Sequence, residues 1–568
     1  MSFNSFEFIF VFLPVTVTGF WLLLQYAGTT SATVWLLCAS IVFYVCSSLS
    51  SLAIAVPSIL LDYGIAQFLI RTTSARKSTR LAALVLGIAA NVLLLSYFKY
   101  LNVVSNAANG LLATHFNTTQ VALPLGLSFL VFQKIAFLAD VHAGKVKTVK
   151  LVDYLLFALF FPRTIAGPIV HHAEIVPQFS AWVSRQKTLD IAIGTCLFAI
   201  GLFKKVVIAD RIAQFVPLAF ADQAGIGSPG LLEAWCGVLA YALQLYFDFS
   251  GYSDMALGIA RMCGVRLPMN FNSPYKAASI VEFWSRWHIT LTRFLTAYIY
   301  TPMVLHLSRA RISKGKTLLQ GKRSTFSAIA TLVATPTMIT MAISGLWHGS
   351  GLQFAIWGLL HGIYLTINQT WRLLRPRFWP DHASYERVMK VPAHVLTVGS
   401  VVLAFTFFRA SSASQAFHIL GSMFGANGVV PHYIDLLRTA GEHVDWRTTW
   451  YLLDAGGSVS GFEWIVVLSM AVICLPNSLE LLRRFEPALD FPESGNEPMA
   501  RPPVGTDIPA ANARAPSIGR LRATWSAGTA LSHDGIALNR AAAIAVALLL
   551  FVALLALDVR EGFQYGKF

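Results

Sequence analysis

Runs of about twenty apolar residues, parted by short polar loops, recur along the whole chain, and each is long enough to cross a bilayer core as a helix. The pattern marks spans near 6–27, 31–48, 52–70, 81–101, 121–141, 151–170, 189–208, 232–262, 286–306, 327–347, 351–371, 393–409, 462–481 and 541–559. Some are short or interrupted and read as re-entrant or interfacial. The expected fold is an all-α polytopic membrane protein with about 11–13 helices or re-entrant elements at membrane depth. The opening stretch MSFNSFEFIFVFLPVTVTGFWLLL has no basic n-region and runs on into further spans, so it reads as a first transmembrane helix rather than a cleaved signal.

Residues 484–540 break the pattern. They are rich in Pro, Gly, Ala and Arg with no hydrophobic period, which predicts a flexible linker. The organisation is thus a membrane-embedded core over 1–483, a linker over 484–540, and a last span with a short tail over 541–568. No repeat of solenoid length is present.

Composition sharpens this picture. Of 568 residues, 55% are hydrophobic and 12% charged, against roughly 25% charged in a soluble protein. The net charge of +15 does not point to nucleic acid, because the basic residues lie in short loops: Arg71 to Arg80, Gly144 to Lys150 and Ser308 to Arg323. The Lys/Arg rule assigns those loops, and the linker flanked by Arg484 and Arg540, to the cytoplasm. Both termini then fall on the external side. The six cysteines lie in or beside apolar segments without a C-x-x-C pair, so neither a disulfide framework nor a metal site is expected; they read as small core residues.

Polar side chains inside apolar sequence are costly in lipid and tend to face a protein-lined cavity. Asp248 and Asp254 (LYFDFSGYSDMALG), Arg286 and His288 (FWSRWHITLT), and His348 and His361 (SGLWHGSGLQFAIWGLLHG) are such interruptions. His348 and His361 are thirteen residues apart, roughly 20 Å on one straight helix, so Gly349–Ser350–Gly351 reads as a break between two elements. Trp347 walls His348, and the glycines admit a thin substrate or another backbone; His361 reads as structural. Trp284, Trp287, His288 and Leu291 share one face at helical spacing. Each of His288 and His348 follows a tryptophan, which suggests two walls of one cavity. In FFPRTIAGPIVHHAEIVPQF (Phe160 to Phe179), Pro162, Gly167, Pro168 and Pro177 preclude a regular helix, and a broken backbone at membrane depth needs protein or water over it.

These segments, with LPLGLSFLVFQKIAFLADVHAG (Leu123 to Gly144) and MNFNSPY (Met269 to Tyr275), resemble the membrane-bound O-acyltransferases in consistent order over roughly residues 90–410. The nearest branch holds the bacterial alginate O-acetyltransferases and teichoic acid D-alanyl transferases. The resemblance implies helices around a funnel, with His348 of the WHG motif in its neck and His288 beside it. It also implies a bacterial inner-membrane location, a cytoplasmic thioester donor (acetyl-CoA or an acyl carrier) with no permanently bound cofactor, a polysaccharide acceptor, and an external esterase-like partner. His171 stands where the family more often has arginine after AGPIV, which bears on substrate preference.

The terminal FQYGKF resembles the F-x-Y-G-x-F ending of a small partner in D-alanylation, which offers Tyr565 as an acyl carrier; an aromatic interface anchor is the alternative. An imidazole near neutrality suits proton abstraction from a hydroxyl. His348 is therefore expected as general base, and His288 as the group that orients the acceptor or donates to the oxyanion. Trp347, Trp287, Arg286, Asp248 and Asp254 are expected to contact substrate. No G-x-S-x-G nucleophile motif appears. The expected activity is acetyl transfer to an extracellular or cell-wall polysaccharide. D-alanyl transfer is the alternative within the class, and transport of a lipid-linked sugar or other solute the alternative outside it.

Overall fold

The computed structural model describes residues 1–73, 76–112, 122–182, 185–221, 228–429, 458–489 and 540–557. Among them every regular element is helical. The main helices are α1 (Leu13–Tyr26), α2 (Gly28–Ser47), α3 (Leu49–Arg71), α4 (Lys77–Leu112), α5 (Leu127–His142), α6 (Leu151–Leu159), α7 (His172–Ser180), α8 (Lys187–Phe203) and α9 (Leu231–Met262). After these come α10 (Ile280–Arg286), α11 (Ile289–Leu295), α12 (Thr301–Ser313), α13 (Thr335–His348), α14 (Leu352–Phe378), α15 (His382–Arg409), α16 (Ala413–Met423), α17 (Ser458–Cys474) and α18 (Arg540–Leu555). Seven helices among the described residues are long and apolar enough to span a membrane. The other predicted spans are shorter or broken helices, or long ones such as α9 and α14 that carry the polar interruptions. The chain is a polytopic helical membrane protein.

Glycines set how closely the central helices approach. A Cβ on Gly194 of α8 would come within 2.5 Å of the Gly258 carbonyl oxygen on α9, and one on Gly201 within 2.5 Å of the Gly251 oxygen. Such small-residue contacts hold membrane helices by van der Waals packing, since lipid supplies no hydrophobic drive between them. The same device joins α13 to α14, where the Cβ positions of Gly345 and Gly358 would each lie 3.1 Å from the other's Cα. The last helix, α18, lies against α8.

Two of the predicted spans that supply site residues are not continuous helices. The span at 151–170 ends at Leu159, and residues 160–171 run as a 3-10 turn and extended chain before α7. This segment is almost wholly buried in protein, as a broken backbone at membrane depth requires. The span at 286–306 is interrupted at its start: α10 ends at Arg286, Trp287 is extended, and His288 takes a left-handed conformation (φ 43°) before α11. Trp284, Trp287, His288 and Leu291 therefore do not form the single helical stripe that their spacing suggested. The cysteines also divide: Cys196, Cys236 and Cys263 are buried, whereas Cys38, Cys46 and Cys474 are exposed, and all six are free thiols.

Candidate active site

The histidine-bearing segments converge on the side chain of Trp347. Its ring lies 4.8 Å from that of His348 and 6.3 Å from that of His288. Phe132 stacks on the indole at 5.0 Å and Phe129 meets it edge-on at 5.2 Å. Both phenylalanines come from α5, one turn apart, so a single helix supplies this wall.

His348 is the last residue of α13, and the Gly349–Gly351 break turns the chain into α14. Trp357 and Phe408 enclose its imidazole at 5.1 Å each. His361, one turn along α14 from Trp357, lies 4.9 Å from the same indole, to which the Gly345–Gly358 approach brings His348 of α13. His361 accepts a hydrogen bond at Nδ1 from Trp284 Nε1 (3.2 Å). The two histidines that sequence distance separates thus flank one indole on antiparallel helices. The sequence did not show Lys99 of α4, whose ammonium donates to the Trp347 carbonyl in the last turn of α13. A lysine in the apolar run LLLSYFKYLNVV was the available signal.

His288 is oriented by a chain of donors that fixes its proton. The Ile169 N–H, from the broken segment, donates to Thr290 Oγ1 (3.0 Å), so the hydroxyl hydrogen is directed to Asn270 Oδ1 (2.8 Å). Asn270 Oδ1 is then an acceptor, and His288 Nδ1, at 3.0 Å, must donate to it. In the neutral ring this leaves the lone pair on Nε2. The left-handed backbone at His288 is held from the same residue, because Ile289 N–H donates to the Asn270 carbonyl (3.0 Å). Asn270, Thr290 and Ile169 lie within recognisable motifs, but nothing in their spacing shows this relay.

The remaining expected contacts have other partners. Asp248 pairs with Lys205 at 2.9 Å. Asp254 pairs with Lys204 and accepts from Ser478, each at 2.7 Å. These bonds tie α9 to the end of α8 and to the segment after α17. Arg286 pairs with Glu282 (2.9 Å) and donates to the Asn272 carbonyl (3.1 Å). Trp287 stacks on Phe283 at 5.6 Å and lies 5.5 Å from Phe405. His171 meets the Tyr298 hydroxyl at 2.9 Å, which in turn donates to Asp140 (2.9 Å). Tyr565 and most of the 484–540 linker lie outside the described residues. Among the described residues no cluster of three or more His, Cys, Asp or Glu side chains could hold a metal ion.

Residues 142–320 match the sequence model of the MBOAT, membrane-bound O-acyltransferase family. The chain is 36% identical over 513 residues to a peptidoglycan O-acetyltransferase of Helicobacter pylori, covering 85% of this chain and 90% of that one. The chain belongs to the membrane-bound O-acyltransferase family. It is 36% identical over 439 residues, 75% of each chain, to a probable alginate O-acetylase AlgI of Pseudomonas aeruginosa. A teichoic acid D-alanyltransferase of Streptococcus thermophilus is 29% identical over 258 residues, 45% of this chain and 59% of that relative. This membrane-bound O-acyltransferase is therefore an enzyme of acyl transfer, and the reading as a solute transporter falls away.

Proposed function

We propose that this O-acyltransferase takes an acetyl group from a cytoplasmic thioester, acetyl-CoA or an acyl carrier, and delivers it across the inner membrane for O-acetylation of a cell-wall or extracellular polysaccharide, of the peptidoglycan or alginate kind. The observation that carries this reading is the convergence of His288 and His348 on the one indole of Trp347. The relatives' names, peptidoglycan O-acetyltransferase and alginate O-acetylase, support acetyl over D-alanyl. D-alanyl transfer remains the reading to test against it.

In the proposed chemistry His348 removes the proton of the attacking hydroxyl as its oxygen bonds to the thioester carbonyl carbon. The C–S bond breaks, and the departing sulfur takes the proton back from His348. His288 orients the acceptor from beside it, accepting at Nε2 from a donor other than the attacking hydroxyl, whose one proton goes to His348. His288 does not donate to the oxyanion while neutral, because its one N–H is committed to Asn270. General-base catalysis of this kind contributes about 10²–10⁴-fold.

Tyr565, six residues beyond Val559, is the proposed hydroxyl that carries the acetyl group outward. An extended tail covers about 20 Å over that length, and an external esterase-like partner passes the group to the glycan. The test combines acetyl analysis of surface glycans in a deletion strain with complementation by wild type, His348→Ala and Tyr565→Phe. Restoration by wild type alone supports the reading. Full restoration by Tyr565→Phe reduces the tail to an anchor, and D-alanyl in place of acetyl on the glycan overturns the donor.

A further inference from the structure

Among the described residues, three other than glycine have a left-handed backbone: Ser273 (φ 48°), His288 (φ 43°) and Glu486 (φ 45°). A side chain makes that conformation costly, and it persists where the surrounding contacts over-determine it. All three belong to one hydrogen-bonded assembly. Its centre is the loop between α9 and α10, which carries Asn270, the acceptor of the His288 Nδ1 proton. This loop meets the α10–α11 junction at two points. Asn272 N–H donates to the Arg286 carbonyl (2.9 Å), and Ile289 N–H to the Asn270 carbonyl (3.0 Å).

The chain returns to this loop as it leaves α17. The Leu475 carbonyl accepts from Lys276 of the loop (2.8 Å), and Pro476, without an N–H, does not continue the helix. Asn477 follows, 205 positions after Asn272. Its Oδ1 accepts from the Leu479 N–H (3.0 Å) and the Glu480 N–H (2.9 Å), capping the helical turn Ser478–Leu481. An amide oxygen fixed in this way leaves Nδ2 as a donor. It donates to Asn272 Oδ1 (3.1 Å) and to Ser273 Oγ (2.9 Å). Buried Ser478 anchors the turn by donating to Asp254 of α9 (2.7 Å). Further on, the Glu486 carboxylate holds Arg266, its carbonyl accepts from Arg261 (3.4 Å), and Leu489 N–H donates to the Leu267 carbonyl (2.9 Å). Arg266 and Leu267 stand before Asn270 in the loop, Asn272 and Ser273 after it. The Leu475–Leu489 segment thus grips both sides of the residue that orients His288.

We propose that Asn477 is a positioning residue for acyl transfer: through Asn272 and Ser273 it fixes Asn270, and through Asn270 the proton on His288 Nδ1. It touches no reacting atom, and it lies beyond the 142–320 stretch that matches the family model. Ser273 precedes Pro274, which favours extended backbone at that position. The Asn477 bonds hold Ser273 left-handed against this preference. Without them Ser273 relaxes toward the extended form, the peptide before it turns, and Asn272 N–H leaves the Arg286 carbonyl. Asn270 then meets His288 only intermittently, and the proton of the neutral ring divides between its two nitrogens. This role rests on the acyl-transfer reading of His288, whereas the grip on Asn270 stands apart from it.

The test uses full-length protein in neutral detergent and separates capping from positioning. Asn477→Asp keeps the shape and the capping oxygen but has no N–H to give. Asn477→Ser also caps a helix and adds no charge. Each is measured for melting temperature, for steady-state transfer from acetyl-CoA, and for the ring-nitrogen chemical shifts of His288, assigned by the signals lost in His288→Gln. Both variants should keep the melting temperature and lower kcat about tenfold, with KM for acetyl-CoA changed less than about twofold. The His288 signals should move from one tautomer toward a mixture, as they should in Asn270→Ala. Asn477→Asp combined with Asn270→Ala should be no slower than Asn270→Ala alone, because both act through one bond. Unchanged His288 signals in both Asn477 variants overturn the proposal, whatever their transfer rates. Moved signals with a full transfer rate uphold the grip on Asn270 and overturn instead the part given to His288 in the chemistry.

Discussion

His288 Nδ1 and Asn270 Oδ1 meet at 3.0 Å, and this bond determines which ring nitrogen carries the proton in the neutral imidazole. Asn270→Ala removes the acceptor, and Thr290→Val removes the hydroxyl that orients it. Both variants should lower kcat by about 10²–10⁴-fold, with KM for the thioester changed far less. Steady-state kinetics on protein with an unchanged melting temperature check this. Equal losses in kcat and thermal stability would make the relay structural only.

His348→Ala should abolish transfer while the protein remains folded in the membrane. His361 calls for the contrary result: fully buried and bonded to Trp284, it should cost mainly stability, about 1–3 kcal/mol for the orphaned indole N–H. Thermal melting beside single-turnover acyl transfer separates the two. A stable but inactive His361→Ala protein would place it in the chemistry, where its shared contact with Trp357 would permit it to act.

Lys99→Met should reduce activity more than stability, because the lost bond frees the Trp347 carbonyl at the end of α13 while the aliphatic stem is kept. Lys99→Arg should recover part of the loss. If both variants melt lower in proportion to their lost activity, the ammonium serves only to hold the helix.

Gly345→Ala should be destabilising by about 1–3 kcal/mol through overpacking. The added methyl would meet the Phe354 carbonyl and the Gly358 backbone. A lower melting temperature with lower activity is expected, since α13 and α14 must separate and carry His348 from Trp357. Retention of both properties would show that the helices slide to accommodate the methyl.

The helical class, the break at Gly349–Gly351 and the buried irregular segment before α7 were legible because apolar run length, glycine and proline report directly on backbone options. The pairing of His288 with Trp347 was approached from the repeated Trp-His dipeptide. What periodicity could not show was the left-handed backbone at His288, which a hydrogen bond from Ile289 to a residue upstream enforces. Lys99 was signalled by its place in an apolar run, but its partner, 248 positions away, was not. Asp248 and Asp254 stood out as costly charges, but the lysines that pair with them sit side by side at the end of α8 and carry no motif.

The glycine contacts between α8 and α9 bear on how the chain is assembled during synthesis. Their four glycines all precede Met262, so this pair can form before Asn270, His288 and His348 have left the ribosome. Helices that meet backbone to backbone need no later segment to finish their interface. A nascent chain halted far enough beyond Met262 for α9 to clear the ribosome should already give a crosslink between cysteines introduced at Leu197 and Met255. The later catalytic segments would then insert beside a finished partner, and defects at Gly194 or Gly201 would reach protein abundance before they reached turnover.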